Sequence, residues 1–231
     1  MNTSIYDTRV SALTAGFRLD FRKYFEDGYF RRKISIGVSY PILSGDIIYS
    51  NTGFLKSNLD FTTYKLTLNG HWNTFKSAGM NDTLTGIYSD GPVPFQMMYS
   101  LPGNIESASQ SHTFRTLGAA QIFGDRALTL FIEHNFNDEL FRLLGLGFLV
   151  NMQLNISAHF DAALLEISPK SKSILPGKLN LSSPPEEFLK PFYEIGFGIG
   201  HPLFPFKLEF TWKLNHLNGN NFVIGINTPM L

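Results

Sequence analysis

Serine, histidine and carboxylate side chains are the natural place to look for chemistry, and here they fall on segments that alternate strictly between apolar and polar residues. Glu133 and His134 are adjacent in such a segment, so their side chains leave a strand on opposite faces and form no dyad with each other. Ser157 and His159 share a face at i, i+2, the start of a nucleophile and base arrangement, but no motif brings in a third member. His71, His112, His159, His201 and His216 follow no metal-ligand spacing, and no metal or other cofactor is expected. With no cysteine in the chain, thiolate metal sites, disulfides and cysteine nucleophiles are excluded.

The charges are better ordered than the histidines. Arg18, Asp20, Lys65, Glu133, Glu194, Lys207, Glu209 and Lys213 all lie on the polar side of alternating segments. If that side lines an enclosed space, each charge needs a partner or water. Pairing across neighbouring strands, such as Glu194 with Lys207 or Lys213, is one use for them, and a substrate path is the other. Asp125 and Arg126 stand beside Gly124 at a tight turn and are candidates to plug or brace the interior; an ordinary polar hairpin turn is the alternative.

A period of two requires strands with one apolar and one polar face. In 191 to 227 the apolar set is Tyr193, Ile195, Phe197 and Ile199, then Phe206, Leu208, Phe210, Trp212 and Leu214, with Glu194, three glycines, Lys207, Glu209 and Lys213 between them. About nine such segments occur. Besides this hairpin and a last strand from 221, they are 11–21, 29–42, 63–72, 113–123, 126–136 and 148–165. The Gly-, Pro- and Ser-rich stretch 76–112 reads as a long irregular connection, and 168–191 as a second. A short helical turn fits "NDELFRLLGLG". Neither an internal repeat nor a domain boundary is visible, so 1–231 reads as one domain.

Composition narrows what the two faces touch. Charged residues make up 16 % of the 231, with 19 basic and 19 acidic, so a nucleic-acid partner is not favoured. Phenylalanine occurs 22 times, beside nine tyrosines and two tryptophans. Mean hydropathy is −0.03, a value that says nothing against a membrane barrel, whose lumen face stays polar. The sequence "MNTSIYDTRV" shows no signal-peptide pattern. Two architectures fit the alternation: a membrane barrel, and a soluble sandwich or lipid-binding barrel. Glycine, serine, threonine and asparagine dominate the polar face where a water-facing sheet would carry many Lys and Glu. That choice favours an all-β transmembrane antiparallel barrel of about 8–10 strands in the outer membrane, facing lipid.

Four stretches carry a resemblance: "PFQMMYSLPGN" (94 to 104), "QIFGDRALTLFIEHNF" (121 to 136), "LFRLLGLG" (140 to 147) and "PFYEIGFGIGHPLFPFKLEFTWKLNH" (191 to 216). Their order and spacing resemble the barrel domain of the bacterial surface antigen, or outer-membrane-protein-85, superfamily, in the branch whose barrel follows a carboxypeptidase-regulatory-like domain. The resemblance implies polypeptide transport or insertion at the outer membrane, with unfolded polypeptide clients. It further implies periplasmic domains, or assembly into an oligomer. In that family an inward loop carries an arginine before a glycine and an aromatic, and Gly124-Asp125-Arg126 is the nearest counterpart here. It also implies a weak seam between first and last strands, through Arg9 to Phe21 with Phe17 and Leu19, and Asn221 to Pro229 with Phe222, Ile224 and Ile226. No catalysis is expected; a passive or structural barrel is the alternative, and a barrel enzyme the third reading.

Overall fold

The computed structural model describes residues 8–27, 32–35, 41–104, 108–109, 112–175, 190–204, 206–217 and 219–227. Nine long strands follow one another as an antiparallel meander: β1 (Ala12–Asp20), β2 (Ile42–Ser50), β3 (Phe61–Asn73), β4 (Gly79–Asp90), β5 (Arg126–Asn137), β6 (Asn155–Glu166), β7 (Phe192–Gly200), β8 (Lys207–Lys213) and β9 (Phe222–Asn227). Each pairs with its neighbour in the chain, and the two-residue segment Ala108–Ser109 adds to β9 as the tenth member of the sheet. The sheet is not closed: among the described residues β1 is at one side, Ala108–Ser109 on the end of β9 at the other, and β1 and β9 do not pair with each other.

Register decides which side chains share a face. The pairs Glu133 with His159, His159 with Gly196, and Gly196 with Thr211 run straight across β5 to β8. Glu133, His159 and Thr211 therefore stand on one surface, and Ile132, Phe160, Ile195 and Trp212 on the other. The second surface carries exposed apolar side chains on all nine strands, among them Phe17, Ile47, Leu66, Tyr88, Leu128, Leu164, Ile195, Trp212 and Ile224. A monomeric soluble protein does not leave a band of this extent uncovered, and lipid is the environment that suits it.

The polar surface is concave. Glu133 on β5 and Lys207 on β8 are three strands apart, about 14 Å in a flat sheet, yet their carboxylate and ammonium groups meet. Over β5 to β9 the concavity is filled by part of the β4–β5 connection. Its apolar residues Leu101, Phe114, Leu117 and Ile122 pack with Ala127, Phe131, Ala163, Leu165 and Phe192 of the strands in one buried cluster. Phe114 anchors it, with ring centroids 4.8 Å from Phe131 and 5.5 Å from Phe192. Phe61, Val93, Met98 and Ile167 form a second, smaller core where the same connection leaves the sheet.

Several elements differ from the expectation drawn from periodicity. The long connection expected at 76–112 contains β4, a full strand of twelve residues. The segment 113–123 does not join the meander; Phe114–Gly118 pairs with Gly103–Asn104 inside the concavity. Of the strand expected over 29–42, the described residues place Ile42 at the start of β2 and pair Arg32–Ser35 with Tyr24–Asp27 in a separate hairpin. Ile36, Val38 and Tyr40, like Pro229, lie outside the described residues. The first part of 148–165 is a helical turn: α1 (Glu139–Leu143) and α2 (Gly147–Asn151) precede β6, and the positive φ of 55° at Gln153 separates α2 from the strand.

Candidate functional site

The centre of the concavity is built around Arg115, a residue that periodicity places in a strand and that the structure places on the inserted segment. The local reason is a close backbone approach. A Cβ on Gly103 would lie 2.1 Å from the Gly118 carbonyl oxygen, so only glycine lets the two arms of the insert touch. That contact and the Phe114 anchor hold Arg115 over β6, β7 and β8. Its side chain is 3 % exposed.

Arg115 Nη1 donates to Asp161 Oδ2 at 2.9 Å, and Nε donates to Glu209 Oε2 at 2.8 Å. Glu133 Oε2 lies 3.9 Å from Nη2. Glu194 holds the main chain of the same residue: its carboxylate accepts from the Arg115 N–H at 2.7 Å, the Thr116 N–H at 3.1 Å and the Thr116 hydroxyl at 2.7 Å. Lys207 completes the group from β8, pairing with Glu133 and lying 3.0 Å from Glu209. Asn227 at the end of β9 donates to Glu209 Oε1 at 2.9 Å, tying the edge strand into the network.

Buried charges on this scale persist only when each is paired and hydrogen-bonded. Arginine suits the task because its planar fork spans two carboxylates on different strands at fixed angles, which a lysine ammonium does not. The strands make room for it with small residues. A Cβ on Gly196 would meet the Phe210 carbonyl oxygen at 2.3 Å and the His159 ring at 2.4 Å. That space lets the His159 ring lie against the sheet, with Nε2 3.0 Å from Thr211 Oγ1.

Of the eight charges picked out by spacing, Glu133, Glu194, Lys207 and Glu209 are brought together here. Lys213 is opposite Glu194 in the β7–β8 register, buried, and donates to the Gly219 carbonyl at 3.1 Å. Arg18, Asp20 and Lys65 belong to the other half of the sheet. There Asp20 pairs with Arg22 at 2.6 Å, and Lys65 stands opposite Asp46. Asp125 and Arg126 part company. Asp125 is buried and accepts from the Ser168 N–H at 2.7 Å and from the hydroxyls of Ser168 and Ser171, bracing the turn after β6. Arg126 begins β5 on the apolar surface, 5.0 Å over the Tyr88 ring and 3.9 Å from Glu166.

Ser157 accepts from Lys207 at 3.3 Å, while His159 turns to Thr211, so the two do not combine. Among the described residues no group of three or more His, Cys, Asp or Glu side chains is placed to hold a metal ion. His112 enters the insert with its ring edge-on to Phe131 at 6.1 Å, and burial holds its imidazole below the ordinary range. No helix among the described residues is long and apolar enough to cross a membrane, which says nothing of strands. Phe17 and Leu19 on β1, and Phe222, Ile224 and Ile226 on β9, all sit exposed on the apolar surface at the two sides of the sheet.

The chain is thus an all-β antiparallel meander with an apolar outer surface and a charged, plugged concavity. The crystal structure of BamA from Haemophilus ducreyi lacking POTRA domains 1–3 matches it with a TM-score of 0.55 at 12 % identity, over 93 % of this chain and 41 % of that one. The likeness is of fold alone, and this chain spans about two-fifths of the length of the BamA chain. No protein-family model matches the chain, and no curated protein matches it.

Proposed function

We propose that this chain is an integral outer-membrane β-barrel of the polypeptide-insertase type, acting through a strand seam and not through catalysis. One observation carries the reading: the first and last strands of the meander, β1 and β9, are unpaired with each other, β9 meeting only Ala108–Ser109 at Ile226 and Asn227, and eight antiparallel steps leave the two running in the same direction. Direct closure between them would be a parallel junction, slightly weaker per residue than the antiparallel pairs elsewhere. A weak junction is where a barrel opens sideways, and open main-chain N–H and C=O groups template an incoming extended segment. The outer-membrane location, lipid contact and unfolded polypeptide clients follow from this reading together with the likeness to BamA. The plug supports it over a passive pore, because Arg115 and its carboxylates occupy the interior that solutes would need.

The test is reconstitution into liposomes with a photo-crosslinker at Leu19 or Ile224 and a nascent barrel protein as client. Crosslinks at both positions, together with client acquiring protease resistance, are the expected result. Client insertion no faster than in empty liposomes, with no crosslink at either side, would overturn the insertase reading. Measured in the same vesicles, a large steady ion conductance would instead make the chain a pore.

A further inference from the structure

Antiparallel succession puts the turns after β3, β5 and β7 at one end of the sheet. At that end the β5–β6 connection has a composition unlike a water-facing loop: the twelve residues Leu143 to Leu154 include no charged side chain. The structure leaves its large apolar groups uncovered, with Leu143 72 %, Leu144 63 %, Phe148 63 % and Met152 57 % exposed. The neighbouring β7–β8 turn adds Leu203 at 78 % and Phe204 at 55 %.

Polar groups of the same end are engaged with one another. Glu139 accepts from the Ser77 N–H at 2.6 Å and from its hydroxyl at 3.1 Å, and Arg142 is held by Asp138 at 2.6 Å. These contacts dock α1 against the β3–β4 turn. The apolar side chains are left on the outside of the connection.

Continuity says what covers them. The Phe204 ring is 5.6 Å from that of Phe206, and Phe206 precedes Leu208 and Phe210 on the outer apolar surface of β8. The uncovered patch is therefore an extension of the lipid-facing band past the end of the strands. We infer that the β5–β6 connection with its two short helices, together with the β7–β8 turn, lies in the boundary layer of the bilayer and holds this end of the barrel at the membrane surface. Aromatic and aliphatic groups at that depth contact acyl chains while the main chain remains at the headgroups. The patch carries few cations, so contact is with the apolar boundary and does not depend on anionic headgroups.

The inference rests on the membrane reading, and the test separates the two. Because the chain contains no cysteine, single-cysteine variants Leu144→Cys, Phe148→Cys and Leu203→Cys carry a nitroxide without a background. Ile195→Cys reports the outer surface of β7, and Asn51→Cys reports the opposite end. Refolded in phosphatidylcholine vesicles, the labels at Leu144, Phe148 and Leu203 are expected to respond to oxygen and to lose their response to a water-soluble nickel chelate, as at Ile195. If Ile195 is lipid-exposed but the other three respond to the chelate as Asn51 does, the boundary contact is refuted and a soluble protein partner becomes the candidate for the patch. If Ile195 itself is aqueous in folded protein, the membrane reading falls and this inference with it. Addition of anionic lipid is expected to leave the pattern unchanged, and dependence on it would overturn the acyl-chain contact.

Discussion

Replacing Arg115 by alanine removes the cation that bridges the carboxylates Asp161 on β6 and Glu209 on β8. Asp161 and Glu209, whose side chains are 2 % and 1 % exposed, lose partners at 2.9 and 2.8 Å. Breaking a buried ion pair by truncating one side costs about 3–5 kcal/mol, because the remaining charge stays desolvated. Asp161 loses its cation, whereas Glu209 keeps Lys207 at 3.0 Å and Asn227 at 2.9 Å, which sets the lower part of that range as the expected loss. Arg115→Lys restores the charge without the fork and is expected to recover only part of it. The combined change Arg115→Met, Asp161→Asn and Glu209→Gln removes all three charges and is expected to recover most of the loss, since the penalty lies in the imbalance. Urea unfolding from lipid vesicles, followed by tryptophan fluorescence, measures it. Trp212 reports on β8 directly, being three residues from Glu209. An Arg115→Ala protein within about 0.5 kcal/mol of the parent, the range of ordinary surface substitutions, would refute the claim that the insert is held by charge.

Three further outcomes follow from the same geometry. Asp125→Ala leaves the Ser168 N–H and the hydroxyls of Ser168 and Ser171 without their carboxylate, at about 1–3 kcal/mol, and hydrogen exchange should speed up at the Ser168 amide while the β5–β8 ladder stays protected. Gly196→Ala drives a methyl group to 2.3 Å from the Phe210 carbonyl; overpacking of this kind costs about 1–3 kcal/mol, and reduced resistance of the folded band to heating on a gel is the readout. Ile195→Arg places a cation on the outer apolar surface, and on a surface in lipid the cost is about 2–4 kcal/mol at mid-bilayer. Its unfolding midpoint in vesicles should fall accordingly, and an unchanged midpoint would count against lipid on that surface.

Strands were legible where each face kept one chemistry. β5, β7 and β8 alternate over most of their length, with Phe131 and Phe192 as the apolar groups on the inner face, and together with β6 they carry the inner charges. β4 was not legible because Asp82 and Gly86 interrupt its outer face. Asp82 is tolerated there because the Trp72 indole N–H on β3 donates to it, a pairing invisible along one strand. β2 blurs for the opposite reason: Ile42 and Ile48 put apolar groups on its inner face, beside Ile47 and Tyr49 on the outer. The segment 148–152 alternates as a strand would, yet forms α2. Five residues are too few for a period of two to be told from one of 3.6, and Gly145 and Gln153, with φ of 70° and 55°, turn the chain on either side of it.

The arginine at the centre was missed although charge balance asks for one. On the inner face of β5 to β8 the carboxylates are Glu133, Asp161, Glu194 and Glu209, and the cations from the same strands are Lys207 and Lys213. Four acids against two bases on a buried surface call for a cation from elsewhere. Between Ser107 and Gly124, in the connection that the strands must bury, Arg115 is the only charged residue. Periodicity assigned that residue to a strand because Phe114, Leu117 and Ile122 surround it with apolar groups. Those same groups are what carry it inside, so the apolar setting and the lone charge are one feature: the first supplies the anchor, and the second the reason for the anchor to be where it is.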